Sequence, residues 1–238
     1  MTIPAVPKKT LVVLQPGYLP WLGFFDQMRR SDIFVYYDDV QFDKHGWRNR
    51  NRIKSPEGPY WLTVPVLHRG KGQPLINDTL IDARSGWARK HIGTLRQYYG
   101  KAPYAKQYLP ELEALLSRPW TRIVDLDIAL VTLMADWLAL SPNVVRASEL
   151  GIEGAQSERL INLCEHFGAQ RYLSGNAARD YLDVAEFSKR GVEVVWQDYR
   201  HPVYPQQYEP FVPYLSAIDL LLNCGGDSAS ILKAEQIL

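Results

Sequence analysis

The sequence predicts an α/β fold with a mainly parallel, Rossmann-like sheet flanked by helices. Apolar, β-branched runs alternate along the chain with segments of helical periodicity. The first run, Thr10–Leu14, and a second at 33–37 enclose a helical segment at 21–30. A strand, a helix and a strand within about thirty residues have the size of a βαβ unit, whose two strands lie parallel.

The later elements follow from the same two patterns. We expect a third strand at 60–66 after the polar turn 55–59, and a flexible link at 70–73. The remaining predicted elements are the helices 86–99, 108–116, 123–140, 157–167, 215–222 and 228–238 and the strands 144–145, 172–173 and 192–196. We expect one α/β domain over residues 1–238, with a helical block at about 86–140 inserted into the sheet or packed on it.

The first helix of that block has a stripe of apolar and aromatic residues. The stripe consists of Trp87, His91, Leu95 and Tyr98, which recur at helical spacing. Residues with this spacing lie on one face of a helix, and such a face is typical of packing against a core.

Composition excludes several classes of protein. The 27 Lys and Arg residues against 26 Asp and Glu residues leave a net charge of +1, so no global electrostatic attraction to nucleic acid or to a membrane is expected. The 2 Cys residues show neither a disulfide framework nor zinc-ligand spacing. The apolar run 11–14 is too short for a signal peptide, and aspartates interrupt the apolar stretch 123–140. We therefore expect a cytoplasmic protein that does not enter the membrane.

The first segment with candidate chemistry follows the first strand directly. It reads QPGYLPW, in which two prolines and a glycine stiffen a loop and Gln15 and Tyr18 offer hydrogen-bonding groups. Ligands of open parallel sheets bind beyond the carboxyl ends of the strands. The segment is therefore a candidate binding loop, although a rigid loop whose aromatic residues fill the core is equally compatible with the pattern.

The second segment follows the second strand and is strongly polarised. Asp38 and Asp39 come first, with Gln41 after them, and five cations then occur between Lys44 and Lys54 without an acidic residue among them. Arg and Lys side chains hold phosphate groups well. An extended backbone would place Arg48, Arg50 and Arg52 on one face and Asn49 and Asn51 on the other. The alternative is an ordinary solvated face of the protein.

The third segment, 199–208, follows the last predicted strand. His201 lies there in a proline- and tyrosine-rich loop with Tyr204. A histidine is suited to general-base catalysis because its ordinary pKa is near neutrality. The alternative is a hydrogen-bonded histidine that only packs.

The fourth segment, 215–226, is helical. Ser216, Asp219 and Asn223 are spaced to lie on one stripe, and Cys224 precedes two glycines. Asp219 is a candidate catalytic acid or base and Asn223 a candidate substrate ligand. Cys224 is the weakest candidate, because a small residue buried at a glycine-capped helix end explains it better than a nucleophile does.

Together, the motifs resemble the WbqC-like family. The resemblance is carried by the strings QPGYLPWLGFFDQM, DIFVYYDDVQFDKHGWRNRNRIK, WLTVPV, WARKHIGTLRQYY, YLSGNAARDYL, HPVYPQQYEPF and LSAIDLLLNCGG. It extends over about 11–226. The resemblance implies a bacterial protein associated with O-antigen or other surface-polysaccharide biosynthesis, and a role as a glycyl or aminoacyl transferase that acts on an amino sugar.

On this basis we expect an acyl or aminoacyl transferase that forms an amide on an amino sugar, as a sugar nucleotide, or on a similar small amine. The expected catalytic residues are Asp38, Asp39, His201 and Asp219, and the expected substrate ligands are Gln15, Tyr18, Gln41, Lys44, Asn49, Arg50, Tyr204 and Asn223. The expected partner is a small anionic substrate, either the sugar nucleotide or the activated acyl donor. No cofactor is expected, although Asp38 and Asp39 are suited to hold Mg²⁺ through a phosphate.

Two other classes of function stay open. One is a non-catalytic binding or scaffold protein of a polysaccharide or natural-product pathway. The other is a transferase that takes its amino acid from charged tRNA, which the cationic segment permits but the overall charge does not favour.

Overall fold

The chain forms two compact units, each built from separated stretches of sequence. The structure, a computed structural model, describes residues 8–67 and 74–234, so the predicted link at 70–73 and the end of the last predicted helix lie outside the described residues. The first unit contains the described residues up to Leu14 together with 27–37 and 142–199. The second contains 15–26, 38–141 and the residues from Arg200 onwards.

In chain order the elements are β1 (Thr10–Leu14), α1 (Leu22–Arg29), β2 (Ile33–Tyr36), β3 (Arg50–Ser55), β4 (Gly58–Thr63), α2 (Trp87–Tyr99), α3 (Ala105–Leu116), α4 (Ile123–Trp137), β5 (Val144–Arg146), α5 (Gln156–His166), β6 (Arg171–Ser174), α6 (Val184–Lys189), β7 (Glu193–Trp196), α7 (Ala217–Cys224) and α8 (Ser228–Lys233).

The first unit contains a five-stranded sheet of order β5-β2-β1-β6-β7, in which every neighbouring pair is parallel. In the central pair, Leu11 lies opposite Ile33 and Val13 opposite Val35. These side chains are buried with others from α5 and α6, which explains why both strands are almost continuously apolar. The predicted α/β fold with a mainly parallel sheet is confirmed.

The second unit contains a hairpin, β3–β4, and the helices α2, α3, α4, α7 and α8. The strand predicted at 60–66 exists as β4, but it pairs antiparallel with β3 in a separate two-stranded sheet. A two-residue turn, Pro56 and Glu57, joins the strands, because Ser55 lies opposite Gly58. So short a connection allows only antiparallel pairing, since a parallel pair needs a crossover of a dozen or more residues.

The buried stripe of α2 differs from the prediction at one residue. Trp87, His91, Leu95 and Tyr99 are buried, so the stripe ends on Tyr99 and not on Tyr98. Tyr98 instead packs edge-on against the exposed Tyr60, with ring centroids 5.3 Å apart. The two tyrosines are adjacent in sequence, and periodicity alone does not decide which of them points inwards.

Helix α4 is the most apolar helix of the second unit but contains one fully buried acid. Asp127 has no exposed surface, and neither of its carboxylate oxygens accepts a hydrogen bond from the described residues. Burial raises the pKa of Asp127 well above its ordinary value, and only partial compensation comes from the charge of Arg48. Among residues 8–67 and 74–234, no helix is both long and apolar enough to cross a membrane.

We expect Asp127→Asn to stabilise the protein at pH 7 by about 1 kcal/mol or more. The folded state binds the carboxyl proton more tightly than the unfolded chain, so stability falls as pH rises above the unfolded pKa of about 4. The gain should therefore shrink as the pH is lowered to that value. Urea unfolding at several pH values measures it, with Asp136→Asn, at an exposed position of the same helix, as the matched control. A loss of stability at pH 7 would contradict this account of Asp127.

Candidate functional site

An aromatic pocket in the second unit joins two of the four predicted segments. It is a cavity of about 240 Å³ lined by Trp21, Trp47, Asn51, Arg52 and Tyr214. Trp21 and Tyr214 form one wall, with ring centroids 5.7 Å apart. The pocket therefore takes residues from the first loop, the cationic segment and the chain just before α7.

Backbone contacts hold these segments together. Tyr18 donates its N–H to the carbonyl of Trp47 at 3.2 Å, and a side chain at Gly17 would strike that carbonyl, at 2.9 Å from the added Cβ. Ser216 donates its N–H to the carbonyl of Arg52 at 2.8 Å. Glycine at position 17 is thus required for the close approach of the first loop to the cationic segment.

The side chain of Asn51 also holds the first loop, at Tyr18 and Leu19. Its Nδ2 donates to the carbonyl of Leu19 at 2.8 Å and more weakly to that of Tyr18 at 3.3 Å. Leu19 and Tyr214 both have positive φ, 44° and 60°, which is uncommon for residues with bulky side chains. Strained backbone of this kind persists where the surrounding structure holds it, and it is frequent at binding sites.

The outer rim of the pocket is a stack of aromatic rings and guanidinium groups. Trp47 and Trp61 stack with centroids 5.3 Å apart and are 44% and 43% exposed. The guanidinium of Arg50 lies 4.6 Å from the centre of the Trp61 ring, and that of Arg52 lies 5.7 Å from the Trp47 ring. Solvent-exposed Trp rings with adjacent cations form a surface for a flat, anionic ligand.

The predicted alternation of the cationic segment is correct for residues 49–52 but does not extend to Arg48. Arg50 and Arg52 lie on the accessible face, while Asn49 and Asn51 are buried. Arg48 precedes the strand and does not join them: its Nη1 donates to the carbonyl of Pro16 at 3.2 Å, and burial lowers the pKa of its guanidinium. Extended geometry therefore begins two residues later than the prediction required.

His201 lies beside the pocket. Its ring centroid is 5.1 Å from that of the pocket residue Tyr214 and 6.0 Å from that of Tyr204. Its Nδ1 lies 2.9 Å from the carbonyl of Pro202, so Nδ1 carries the proton and Nε2 is the basic nitrogen. Burial lowers the pKa of His201, which keeps the imidazole neutral at pH 7.

Beyond Tyr204 lies a buried polar cluster centred on Asp219. This carboxylate accepts hydrogen bonds from Tyr99 Oη at 2.7 Å, from Tyr204 Oη at 2.9 Å and from Gln206 Nε2 at 2.8 Å. Gln206 Oε1 in turn accepts from Lys54 Nζ at 3.2 Å. Burial raises the pKa of Asp219, and the three donors and the charge of Lys54 oppose that rise.

The buried Asp219 carboxylate already accepts hydrogen bonds from three donors of the protein, which favours a structural role. A catalytic role for Asp219 stays a prediction. Asn223 completes it from the next turn of α7, with its Nδ2 donating to the carbonyl of Asp219 at 2.8 Å. Sequence reasoning missed Tyr99 and Gln206 and treated Lys54 only as part of a cationic run. The buried stripe of α2 was the one available signal for Tyr99.

None of the predicted catalytic residues or substrate ligands is among the residues that line the pocket. The backbone of Asp38 and Val40 accepts hydrogen bonds from Asn77 and Ile76, so this stretch pairs with the chain at 75–77. Asp38 is buried, Asp39 is partly buried, and Gln41 and Lys44 are exposed. Within the described residues, no group of three or more His, Cys, Asp or Glu side chains converges as a metal site would require. Mg²⁺ bound to Asp38 and Asp39 stays a prediction.

Three further candidates have defined environments. Tyr18 is fully buried and its hydroxyl lies 2.8 Å from Nδ1 of His91, whereas Gln15 is partly exposed. Burial lowers the pKa of His91 to about 4, so that imidazole is neutral as well. Cys224 is buried and its thiol pKa is raised to about 11, which makes a thiolate nucleophile unfavourable at neutral pH.

We expect Asp219→Asn to destabilise the protein by about 2–4 kcal/mol, because an amide nitrogen would face three donors and Lys54 would lose its buried counter-charge. Chemical denaturation measures the change. Asp227→Asn, at an exposed position just after α7, is the matched control and should shift stability by only a few tenths of a kcal/mol. Equal stability of the two variants would contradict a structural role for Asp219.

Comparison with known proteins gives one consistent result. The chain matches the WbqC-like protein family over residues 15–231. It is 34% identical over 227 residues to uncharacterized protein Rv1507c of Mycobacterium tuberculosis (strain ATCC 25618 / H37Rv), a match covering 94% of this chain and 98% of that protein. No solved structure matches the chain significantly. Residues of both units lie within the matched region, and the chain belongs to the WbqC-like protein family.

Proposed function

We propose that the protein transfers an acyl or aminoacyl group to the amine of an amino sugar carried as a sugar nucleotide. One observation carries this proposal: the aromatic pocket has a neutral imidazole beside it, that of His201. The combination suits a sugar ring that must be held while its amino group loses a proton.

The walls of the pocket match a small sugar. Trp21, Trp47 and Tyr214 present ring faces on which the C–H face of a pyranose packs, burying apolar surface. The volume of about 240 Å³ lies just below the range of about 300–1,000 Å³ that is usual for drug-sized ligands. The pocket thus suits one sugar ring and not a long chain.

The guanidinium groups at the rim favour an anionic substrate. Arg52 lines the pocket and Arg50 lies on the same accessible face of β3. Both guanidinium groups already donate to backbone carbonyls. Arg52 donates to that of Tyr214 at 3.3 Å, and Arg50 donates to those of Gly46 at 3.3 Å and His45 at 2.5 Å. These contacts orient the guanidinium groups, which can still pair with a phosphate.

The reaction needs a base but no protein nucleophile. The amine attacks the carbonyl carbon of an activated acyl donor, a C–N bond forms, and the bond from that carbon to the leaving group breaks. The proton lost by the amine passes to Nε2 of His201, which is the basic nitrogen because Nδ1 is bonded to the carbonyl of Pro202. Nothing in this step requires Cys224, in keeping with the raised pKa of its thiol.

The direct test combines the purified protein with amino-sugar nucleotides and activated acyl donors, such as acyl thioesters and aminoacyl adenylates. Mass spectrometry detects the mass gain of the new amide. Sugar-nucleotide binding at the pocket without any mass gain would overturn the transferase proposal and favour the binding-protein alternative. Product formed only from charged tRNA would favour the tRNA-dependent alternative.

We expect His201→Asn to lower kcat by about 10²–10⁴-fold with little change in KM. Asparagine keeps a donor near the Pro202 carbonyl and removes the basic nitrogen. Trp47→Ala should instead raise KM by about tenfold or more, because it removes a stacking wall. Tyr181→Ala, which truncates an aromatic residue that is 71% exposed in the first unit, is the control and should change neither constant.

The pH dependence of kcat/KM gives a separate prediction. The lowered pKa of His201 means that the base form predominates above the ordinary histidine value of 6.5. Activity should be flat between pH 7 and 8 and should fall only when the pH reaches the lowered pKa of His201, below 6.5, where the imidazole becomes protonated. A rate that keeps falling as the pH is lowered through 8 and 7 would contradict His201 as the base, since its neutral fraction is nearly constant there.

A further inference from the structure

The sheet of the first unit has a reversal in its strand order. From β1 the chain moves outwards in one direction, through β2 to β5, and then continues on the other side of β1 with β6 and β7. The order therefore reverses between β1 and β6. In open parallel sheets, ligands bind beyond the carboxyl ends of the strands at such a point.

One strand further on from this reversal, two buried glutamines meet at the carboxyl ends of β6 and β7: Gln27 of α1 and Gln197. Gln27 Nε2 donates to Oε1 of Gln197 at 2.9 Å, and Gln197 directly follows β7. Gln27 Nε2 also lies 3.5 Å from the position that a Cβ on Gly175 would occupy, and Gly175 directly follows β6. The absence of a side chain at Gly175 leaves the backbone open beside the amide.

The side-chain amide oxygen of Gln27, Oε1, has unused hydrogen-bonding capacity. Gln27 is only 5% exposed, yet its Oε1 accepts no hydrogen bond from the described residues. An unsatisfied buried acceptor is costly, and such a group in a native protein calls for an explanation. A ligand N–H or O–H at this edge of the sheet would satisfy it.

A guanidinium group is held at the same edge. The Arg179 guanidinium lies 4.6 Å from the centre of the Trp196 ring, and its Nη2 donates to Asp198 Oδ1 at 3.3 Å. The side chains of Arg179 and Asp198 are 48% and 70% exposed, so their ion pair is weak and a phosphate can replace the carboxylate. Arg179 belongs to the YLSGNAARDYL motif, which the proposed acyl transfer does not use.

We propose that this edge of the first unit, formed by Gln27, Gly175, Arg179 and Gln197, binds a nucleotide. An N–H of the base or a ribose hydroxyl donates to Oε1 of the Gln27 side chain, and the phosphate pairs with Arg179. The chain has no glycine-rich phosphate-binding fingerprint. The phosphate is therefore held by a side chain and not by a loop of backbone amides. The inference does not depend on the acyl-transfer proposal.

Isothermal titration calorimetry on the full chain with UDP, ADP, a UDP-sugar and inorganic phosphate tests this. At least one nucleotide should bind. Gln27→Leu and Arg179→Gln should each weaken that binding at least tenfold. The matched control is Arg190→Gln, which breaks an exposed ion pair with Glu165 in the same unit. This control should bind as the unaltered protein does.

Gly175→Val adds a test that removes no polar group. Its φ of −72° is accessible to valine, so the backbone tolerates the change, while the added methyl groups should block the ligand. Thermal unfolding identifies variants that fail to fold. Three outcomes overturn the proposal: no nucleotide binding at millimolar concentration, phosphate binding as tightly as the nucleotides, or unchanged affinity in all three folded variants of this edge.

Discussion

The burial of the Asp219 carboxylate is the constraint on which the candidate site of the second unit depends. A buried charge must be surrounded by donors. Tyr99 of α2 donates to this carboxylate, and so do Tyr204 and Gln206 of the loop after Arg200. Gln206 in turn accepts a hydrogen bond from Lys54 of β3. Tyr204, one of the donors, also packs against His201. The position of the imidazole beside the pocket is thus set by a carboxylate that need not meet substrate.

The aromatic pocket and the Asp219 cluster have different roles in the second unit. The cluster is closed, with its polar atoms satisfied by one another, which favours rigidity. The pocket is accessible and keeps ring faces and guanidinium edges towards solvent. Rigid support behind an accessible lining is the arrangement that preorganised binding sites require. The contact between His201 and Tyr214 links the two.

Local patterns predicted the elements well and the partners of side chains poorly. The strands β1 and β2 were readable because burial on both faces makes them apolar throughout, and the alternation in β3 separated Arg50 from Asn51. The partners of Asp219 were not readable, because Tyr99 lies 120 residues away in sequence. The choice between Tyr98 and Tyr99, and the antiparallel placement of β4, likewise depend on tertiary packing and turn geometry that periodicity does not encode.

The interleaving of the two units along the chain has a consequence for biosynthesis. The chain passes from one unit to the other after Leu14, Asp26, Tyr37, Ser141 and Tyr199. The parallel sheet lacks its edge strand until Trp196 has left the ribosome, and the carboxylate at position 219 emerges later still. Neither unit can finish folding before β7 has emerged, so the nascent chain must remain soluble with incomplete cores until then.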